Sequence, residues 1–500
     1  MGANMEIYKS LDAVYAQPRL AGYIRVLERA WSELDLSSVL CVNHVPTLYR
    51  IDSKSIVEPD TLIKLHRRFW NQGVARVLLV VDPKTAYLLS GLQWPLQGGH
   101  PKITDPDDAD SPLLDFLELA TFSEQEQTII ESVRTGDFYR VYKDKFKQTL
   151  AVDQSLTENL MSLRNHLIRS EGGPKLPDNI AHNFICRLLF VCYLVDRGIV
   201  TLDRYPGLHL HEALFKIGDA ARARDYLYKL FKRLKHEFNG SMFDADLDAE
   251  KEYLTAERIK AVIDLLRGDE PDTRQPSLGF WAYDFKFIPI ETISGIYEGL
   301  LPRRGKRDQG VYYTPRFLAE FAIDVAIGDN KDWHKLRYLD PSCGSGVFLV
   351  TLFNRLATWW EIEHRDQEED ANYNERKDDA LRKILRNQIC GIDRNEQAGM
   401  LACFSLYVAL LDAFSPATIS EYIKQSKFRK LPKLMESPPA HADDENYLPV
   451  IHTRDTLNPQ TGNDEAFRNR FDVVIGNPPW GGKVRGSGDI AFQCLAGVKP

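Results

Sequence analysis

The segment Phe471 to Trp480, "FDVVIGNPPW", sets a carboxamide, two consecutive prolines and a large aromatic directly after a short apolar run. The run reads as a buried strand. Each proline fixes its own φ, so Pro478 and Pro479 stiffen the backbone beside Asn477. Three earlier segments also place reactive residue types at the ends of apolar runs. "LRYLDPSCGSGVFLVTLFNRL" (336–356) reads as a strand ending at Asp340-Pro341, a tight turn through Gly344 and Gly346, and an apolar helix. Such a turn lets the backbone approach a ligand that the helix N-terminus faces. "NQICGIDRNEQAGMLACFSLYVALL" (387–411) is a second strand ending at Asp393 and leading into a helix. An acid there holds the ribose hydroxyls of a nucleoside ligand; the other reading of Asp393 is a helix N-cap. Asp455 follows a third apolar run in "LPVIHTRDTLNP" (448–459), and alone it would be turn chemistry. Together the four strand ends present a glycine loop, an acid, an acid, and an amide beside an aromatic. Open α/β sheets bind ligands at the carboxyl ends of their strands.

The elements that must carry these residues occupy the last part of a long chain. Five hundred residues exceed one ordinary core, so several domains are expected. Apolar residues make up 44% and charged residues 27%, an ordinary globular composition. The net charge of −8 argues against a surface that is basic throughout, though local clusters such as Arg303 to Arg307 and Lys229 to Lys235 occur. Uninterrupted apolar runs fall short of the 18 or so residues of a membrane span. The N-terminus lacks a signal-peptide pattern, and Glu6 sits where myristoylation wants Ser or Thr. Seven scattered cysteines without a CxxC indicate neither a disulfide framework nor a zinc site. A reducing cytoplasm and no bound metal are the expectation.

Residues 1–35 read as helical, and "VARVLLVV", Asp82-Pro83-Lys84 and "TAYLLSG" as strand, turn and strand. This gives an α/β N-terminal domain over 1–150. Residues 151–276 read as a helical connector domain, closed by the polar linker "GDEPDTRQPS". An α/β domain follows over 277–500, opening with the aromatic-rich "LGFWAYDFKFIPI" and an amphipathic helix from Glu291. In "GVYYTPRFLAEFAIDVAI" (310–327), Thr314 is expected to cap a helix and Pro315 to be its first residue.

On these motifs the chain resembles the gamma-type N6-adenine DNA methyltransferases, most of all the large methylases of type I and bifunctional type II restriction–modification systems or of phage defence. "GVYYTP", "DPSCGSGVFL", "GIDRNE", "RDTL" and "NPPW" are similar to the family's successive motifs, over roughly 277–485. The resemblance implies a Rossmann-like methyltransferase domain with S-adenosyl-L-methionine as cofactor and double-stranded DNA as partner. A separate specificity or nuclease subunit is a second partner that it implies. Tyr313, Thr314, Pro315, Asp340, Ser342, Gly344 and Gly346 would line the methionine end of the cofactor. Asp393 would take the ribose, and Asp455 and Leu457 would lie against the adenine. Asn477 and Pro478 would accept hydrogen bonds from the amine of a flipped adenine, Pro479 would hold the loop, and Trp480 would stack on the base. The family's sheet and target-recognition region continue past the catalytic motif, so the domain is expected to be incomplete at its C-terminus. Bifunctional members carry an N-terminal nuclease, for which Asp35 with Asp52-Ser53-Lys54 is the candidate here. Two other readings stay open: a non-catalytic or split subunit of a defence complex, and an N-methyltransferase acting on RNA or protein.

Overall fold

The computed structural model describes residues 4–169, 173–238, 246–268, 278–300, 314–425, 427–435, 447–456 and 470–478. The chain divides into two compact units, Met1–Asn159 with Asp264–Pro289, and Leu160–Ile263 with Ile290–Pro500.

Unit 1 runs β1 (Met5–Tyr8), α1 (Leu11–Tyr15), α2 (Ile24–Leu34), β2 (Ser38–Val42), β3 (Val45–Asp52), α3 (Pro59–Gln72), β4 (Val77–Val81), β5 (Thr85–Ser90), β6 (Leu113–Glu118), α4 (Leu119–Thr135) and α5 (Asp137–Val141). The described strands form one sheet in sequential order. All neighbours are antiparallel except β3 and β4, which run parallel. That exception follows from α3, since parallel neighbours need a crossover. Met5–Tyr8 corrects the expectation of helix over 1–35: it pairs with Ser38–Val42 as a strand. The expected β4–β5 hairpin forms, and Asp82 caps its turn by accepting from Lys84 N (2.7 Å) and Thr85 N (2.8 Å).

The aromatic lead-in groups with unit 1. Asn71, fully buried, donates to Ala282 O (2.8 Å) and accepts from Asp284 N (3.0 Å). Asn159 donates to Leu278 O (2.7 Å). A buried amide is held only when its donors and acceptor are matched, and here the segment 278–284 supplies the matches.

Unit 2 takes up α6 (Val152–Arg169) from its middle onward. It continues with α7 (Asp178–Asp196), α8 (Leu210–Ile217), α9 (Ala220–Phe238), α10 (Leu247–Tyr253) and α11 (Ala256–Arg267), whose last residues fall in unit 1. Then come α12 (Ile290–Leu300), α13 (Arg316–Ile327), β7 (Tyr338–Asp340), α14 (Val347–Glu363), α15 (Tyr373–Gln388), β8 (Ile389–Asp393), α16 (Glu396–Asp412), α17 (Pro416–Lys424), β9 (Lys433–Met435), β10 (Tyr447–Thr453) and β11 (Val473–Val474). The helical segment expected as a separate connector packs in the same unit as this sheet. Arg197 forms a buried ion pair with Asp412, and Phe190 meets Phe404 edge-on at 5.6 Å. Helix α7 is long and apolar enough to cross a membrane. It is buried almost all round and pairs Arg187 with Glu250 inside the bundle, as a central core helix does.

The described strands of the second sheet are all parallel, in the order β11-β7-β8-β10-β9. From β7 the chain proceeds to β8 on one side and later returns to β11 on the other. The order therefore reverses beside β7, and the crevice at that reversal opens at the carboxyl ends.

Candidate functional site

The crevice is built first by the turn after β7. Asp340 is buried, and its Oδ1 accepts from Ser342 N (3.0 Å). Cys343 N donates to Ile392 O (2.9 Å) and Gly344 N to Asp393 Oδ2 (2.9 Å), which moors the turn to the end of β8. Gly344 (φ 53°) and Gly346 (φ 88°) lie in the left-handed region that glycine tolerates best. A Cβ on Gly346 would stand 3.0 Å from Ala402 Cβ, so the turn also needs glycine to sit against α16. Ser342 Oγ is buried with no hydrogen-bond partner among the described residues, so it has a bond to offer a ligand.

Asp393 ends β8. Its second oxygen accepts from Asn395 N (2.7 Å), while Asn395 itself caps α16 by accepting from Gln397 N (3.0 Å). The helix-cap reading of Asp393 is thereby set aside. Burial pushes the Asp393 carboxyl above the usual carboxylate range, against the pull of N–H groups from Asn395, Gly344 and Arg394. Asp455 follows β10, exposed, with its Oδ2 3.9 Å from Arg394 Nη1. Thr456 Oγ1 donates to Pro341 O, which ties this end to the glycine turn. Leu457 lies outside the described residues.

The fourth strand end is the most tightly placed. Asp472 accepts from the Arg337 backbone (2.9 Å) and guanidinium (3.1 Å) at the amino end of β11. Ile475 N donates to Leu339 O (2.9 Å). Gly476 then passes so close to Asp340 that a Cβ would stand 2.4 Å from its Oδ1. Asn477 follows, half-buried, and its Nδ2 donates to Thr314 Oγ1 (3.1 Å). The structure so brings Thr314, Asp340, Gly476 and Asn477 to one end of the sheet. Pro478 is exposed; Pro479, Trp480 and Tyr313 lie outside the described residues.

Thr314 does not cap a helix. Helix α13 begins at Arg316 with Pro315 at the N-cap position, and Pro315 O accepts from Leu318 N (2.9 Å) and Ala319 N (3.2 Å). A residue before proline is pushed out of the helical region, which turns Thr314 away from α13 and leaves its hydroxyl to meet Asn477.

Sequence reasoning missed the frame behind the site. Ser294 of α12 donates to Ser345 O (2.8 Å) in the glycine turn. Glu291 accepts from Asn354 Nδ2 (2.7 Å) and lies 3.5 Å from Arg316. Arg355 of α14 is buried and pairs with Glu320 and with Asp324 (2.7 Å), both on α13. Burial alone would lower the Arg355 pKa, but Glu320 and Asp324 outweigh it and raise it. The available signal was polar residues inside apolar helices: Asn354-Arg355 in "VFLVTLFNRLATWW" and Glu320 in "FLAEFAIDVAI".

The donor set suits a cationic nucleoside cofactor: two carboxylates, a buried hydroxyl and a glycine turn that admits close backbone approach. The described cysteines are buried and form no disulfide with one another. Burial pushes the Cys343 thiol well above its ordinary range. In unit 1, Asp52 of the candidate nuclease residues pairs with Arg50 (2.8 Å), and Asp35 is the left-handed residue that ends α2. Among the described residues no group of three or more metal-ligating side chains occurs.

The sequence profile of the N-6 DNA methylases matches residues 289–412, and that of the Eco57I restriction-modification methylases matches residues 387–493. Type II methyltransferase M.VspI of Vibrio sp. (strain 343) is 38% identical over 65 residues, 13% of this chain and 15% of that protein. Adenine-specific methyltransferase PglX of Streptomyces coelicolor (strain ATCC BAA-471 / A3(2) / M145) is 24% identical over 193 residues, 36% of this chain. The match spans 15% of the length of each of these two relatives. Among solved structures, the type IIL restriction-modification enzyme MmeI in complex with DNA aligns with a TM-score of 0.41 at 17% identity. That alignment covers 65% of this chain and 43% of MmeI.

Proposed function

We propose, on the match of residues 289–412 to the N-6 DNA methylases and of residues 387–493 to the Eco57I restriction-modification methylases, that the full-length protein methylates N6 of an adenine flipped out of double-stranded DNA, within a restriction–modification or phage-defence system. The observation that carries this reading is Asn477 at the carboxyl end of β11, beside the glycine turn of β7 and hydrogen-bonded to Thr314. The all-parallel order of the sheet supports a Rossmann-like class.

S-adenosylmethionine, when bound, supplies an electrophilic methyl group on a sulfonium. Ser342, Gly344 and Gly346 would hold its methionine end with Thr314, Pro315 and Asp340, Asp393 its ribose hydroxyls, and Asp455 its adenine edge. The target amine is a weak nucleophile because its lone pair is delocalised into the ring. Asn477 Oδ1 and Pro478 O, accepting its two N–H bonds, would favour the pyramidal nitrogen that attacks. That is transition-state stabilisation by fixed dipoles. Trp480 stacking on the extruded base would contribute about 1–3 kcal/mol.

The test is tritiated methyl transfer from S-adenosylmethionine by the full-length protein, with DNA, RNA and protein offered separately. Label recovered as N6-methyladenine in DNA supports the proposal. Label confined to RNA or protein overturns it.

A further inference from the structure

We infer that Thr314 is a positioning residue for catalysis: its hydroxyl holds the Asn477 carboxamide in place at the end of the sheet. This rests on the proposed methyl transfer and adds a role for Thr314 beyond lining the cofactor. The chemistry needs Oδ1 of Asn477 aimed at the target amine. The terminal torsion of an asparagine is broad, so the carboxamide swings unless a bond holds it. In the structure Nδ2 donates to Thr314 Oγ1 at 3.1 Å, which restrains that swing.

The two ends of this bond come from separate rigid frames. Thr314 is buried and stands immediately before Pro315, where extended backbone is enforced. Pro315 O starts α13, and α13 is bound to α14 by the buried Glu320–Arg355 pair. Asn477 instead follows β11, which is paired to β7 and pressed against Asp340 at Gly476. The Thr314–Asn477 bond is a cross-tie between these frames. It couples the segment before β7 to the segment after β11, 163 residues apart.

The experiment compares wild type, Thr314→Val and Thr314→Ser in the full-length protein. Three quantities are read: single-turnover methyl transfer to DNA, S-adenosylmethionine affinity, and melting temperature. Valine keeps the shape and removes the acceptor; serine keeps the acceptor. The expected result is a loss of about ten- to a hundredfold in the rate of transfer for Thr314→Val, the scale at which small misplacement acts. Transfer is read at saturating S-adenosylmethionine, so that a change in cofactor affinity does not enter the rate, and Thr314→Ser should recover most of it. A wild-type saturated rate in Thr314→Val, or failure of serine to rescue, overturns the role of Thr314 alone. Absence of DNA methylation by the wild type overturns the proposed function and this role with it.

Discussion

Gly476→Ala puts one methyl group where the site is most closely packed. A Cβ at this position stands 2.4 Å from Asp340 Oδ1 and 3.2 Å from both Asp340 Cγ and Pro341 Cδ. The gap to Oδ1 must open by at least about 0.6 Å to become tolerable, and by about 1 Å to become an ordinary contact. Asp340 has little room to yield: it is buried, and the same Oδ1 accepts from Ser342 N. The displacement therefore falls on the tip of β11, one residue before Asn477. Overpacking of this kind costs about 1–3 kcal/mol of stability, and a misplacement near 1 Å costs roughly a hundredfold in rate. The assay is single-turnover methyl transfer beside thermal melting, for Gly476→Ala, Asp340→Ala and the double variant. Gly476→Ala should remain folded with a lower melting temperature and a rate down about a hundredfold. Since Asp340→Ala removes the atom that collides, the double variant should be little worse than Asp340→Ala alone. A wild-type rate in Gly476→Ala, or two losses that simply multiply, would refute the collision.

Three further outcomes are expected. S-adenosylmethionine affinity should weaken on acidification at a higher pH than for an ordinary aspartate, because burial raises the Asp393 pKa and the protonated form is a poorer ribose acceptor; Asp393→Asn should abolish this acid limb in a titration of affinity against pH. His66 is buried with its pKa pushed down to about 4. An unfolded histidine protonates near 6.5, so the stability of unit 1 should fall as pH drops from there towards 4, by up to roughly 3 kcal/mol; urea melts of wild type and His66→Gln at both ends of that window measure it. Arg355→Ala leaves the buried Glu320 facing only Arg316, at 3.7 Å, and should destabilise unit 2 by up to about 3–5 kcal/mol, read by chemical denaturation, whereas Arg337→Ala, which breaks an exposed pair with Asp472, should cost under about 1 kcal/mol.

The strand ends were legible because each carries a residue type that a bare core strand does not need: Asp340, Asp393, Asp455 and Asn477. The hairpin at Asp82 was legible from pattern alone. The frame around the site was not. Helix α13 turns Glu320 inward to Arg355 and leaves Phe317, Phe321 and Val325 exposed, the reverse of what apolar spacing suggests. The segment 278–284 packs on Asn71 and Asn159, partners more than a hundred residues earlier, and no local signal reports such pairing. Met5–Tyr8 is strand because Ser38–Val42 pairs with it, a tertiary effect that overrides local preference. The meeting of Thr314 with Asn477 needed the reversal of strand order beside β7, which emerges only when the sheet is assembled.

The most direct measurement is the rate of N6-adenine methylation of DNA by full-length wild type and Asn477→Ala, each at saturating S-adenosylmethionine with cofactor affinity determined separately. The expected result is methylated adenine from the wild type, and a loss of at least about a hundredfold in Asn477→Ala with cofactor affinity retained. Near-normal methylation by Asn477→Ala would contradict the assignment of this asparagine as the group that polarises the target amine.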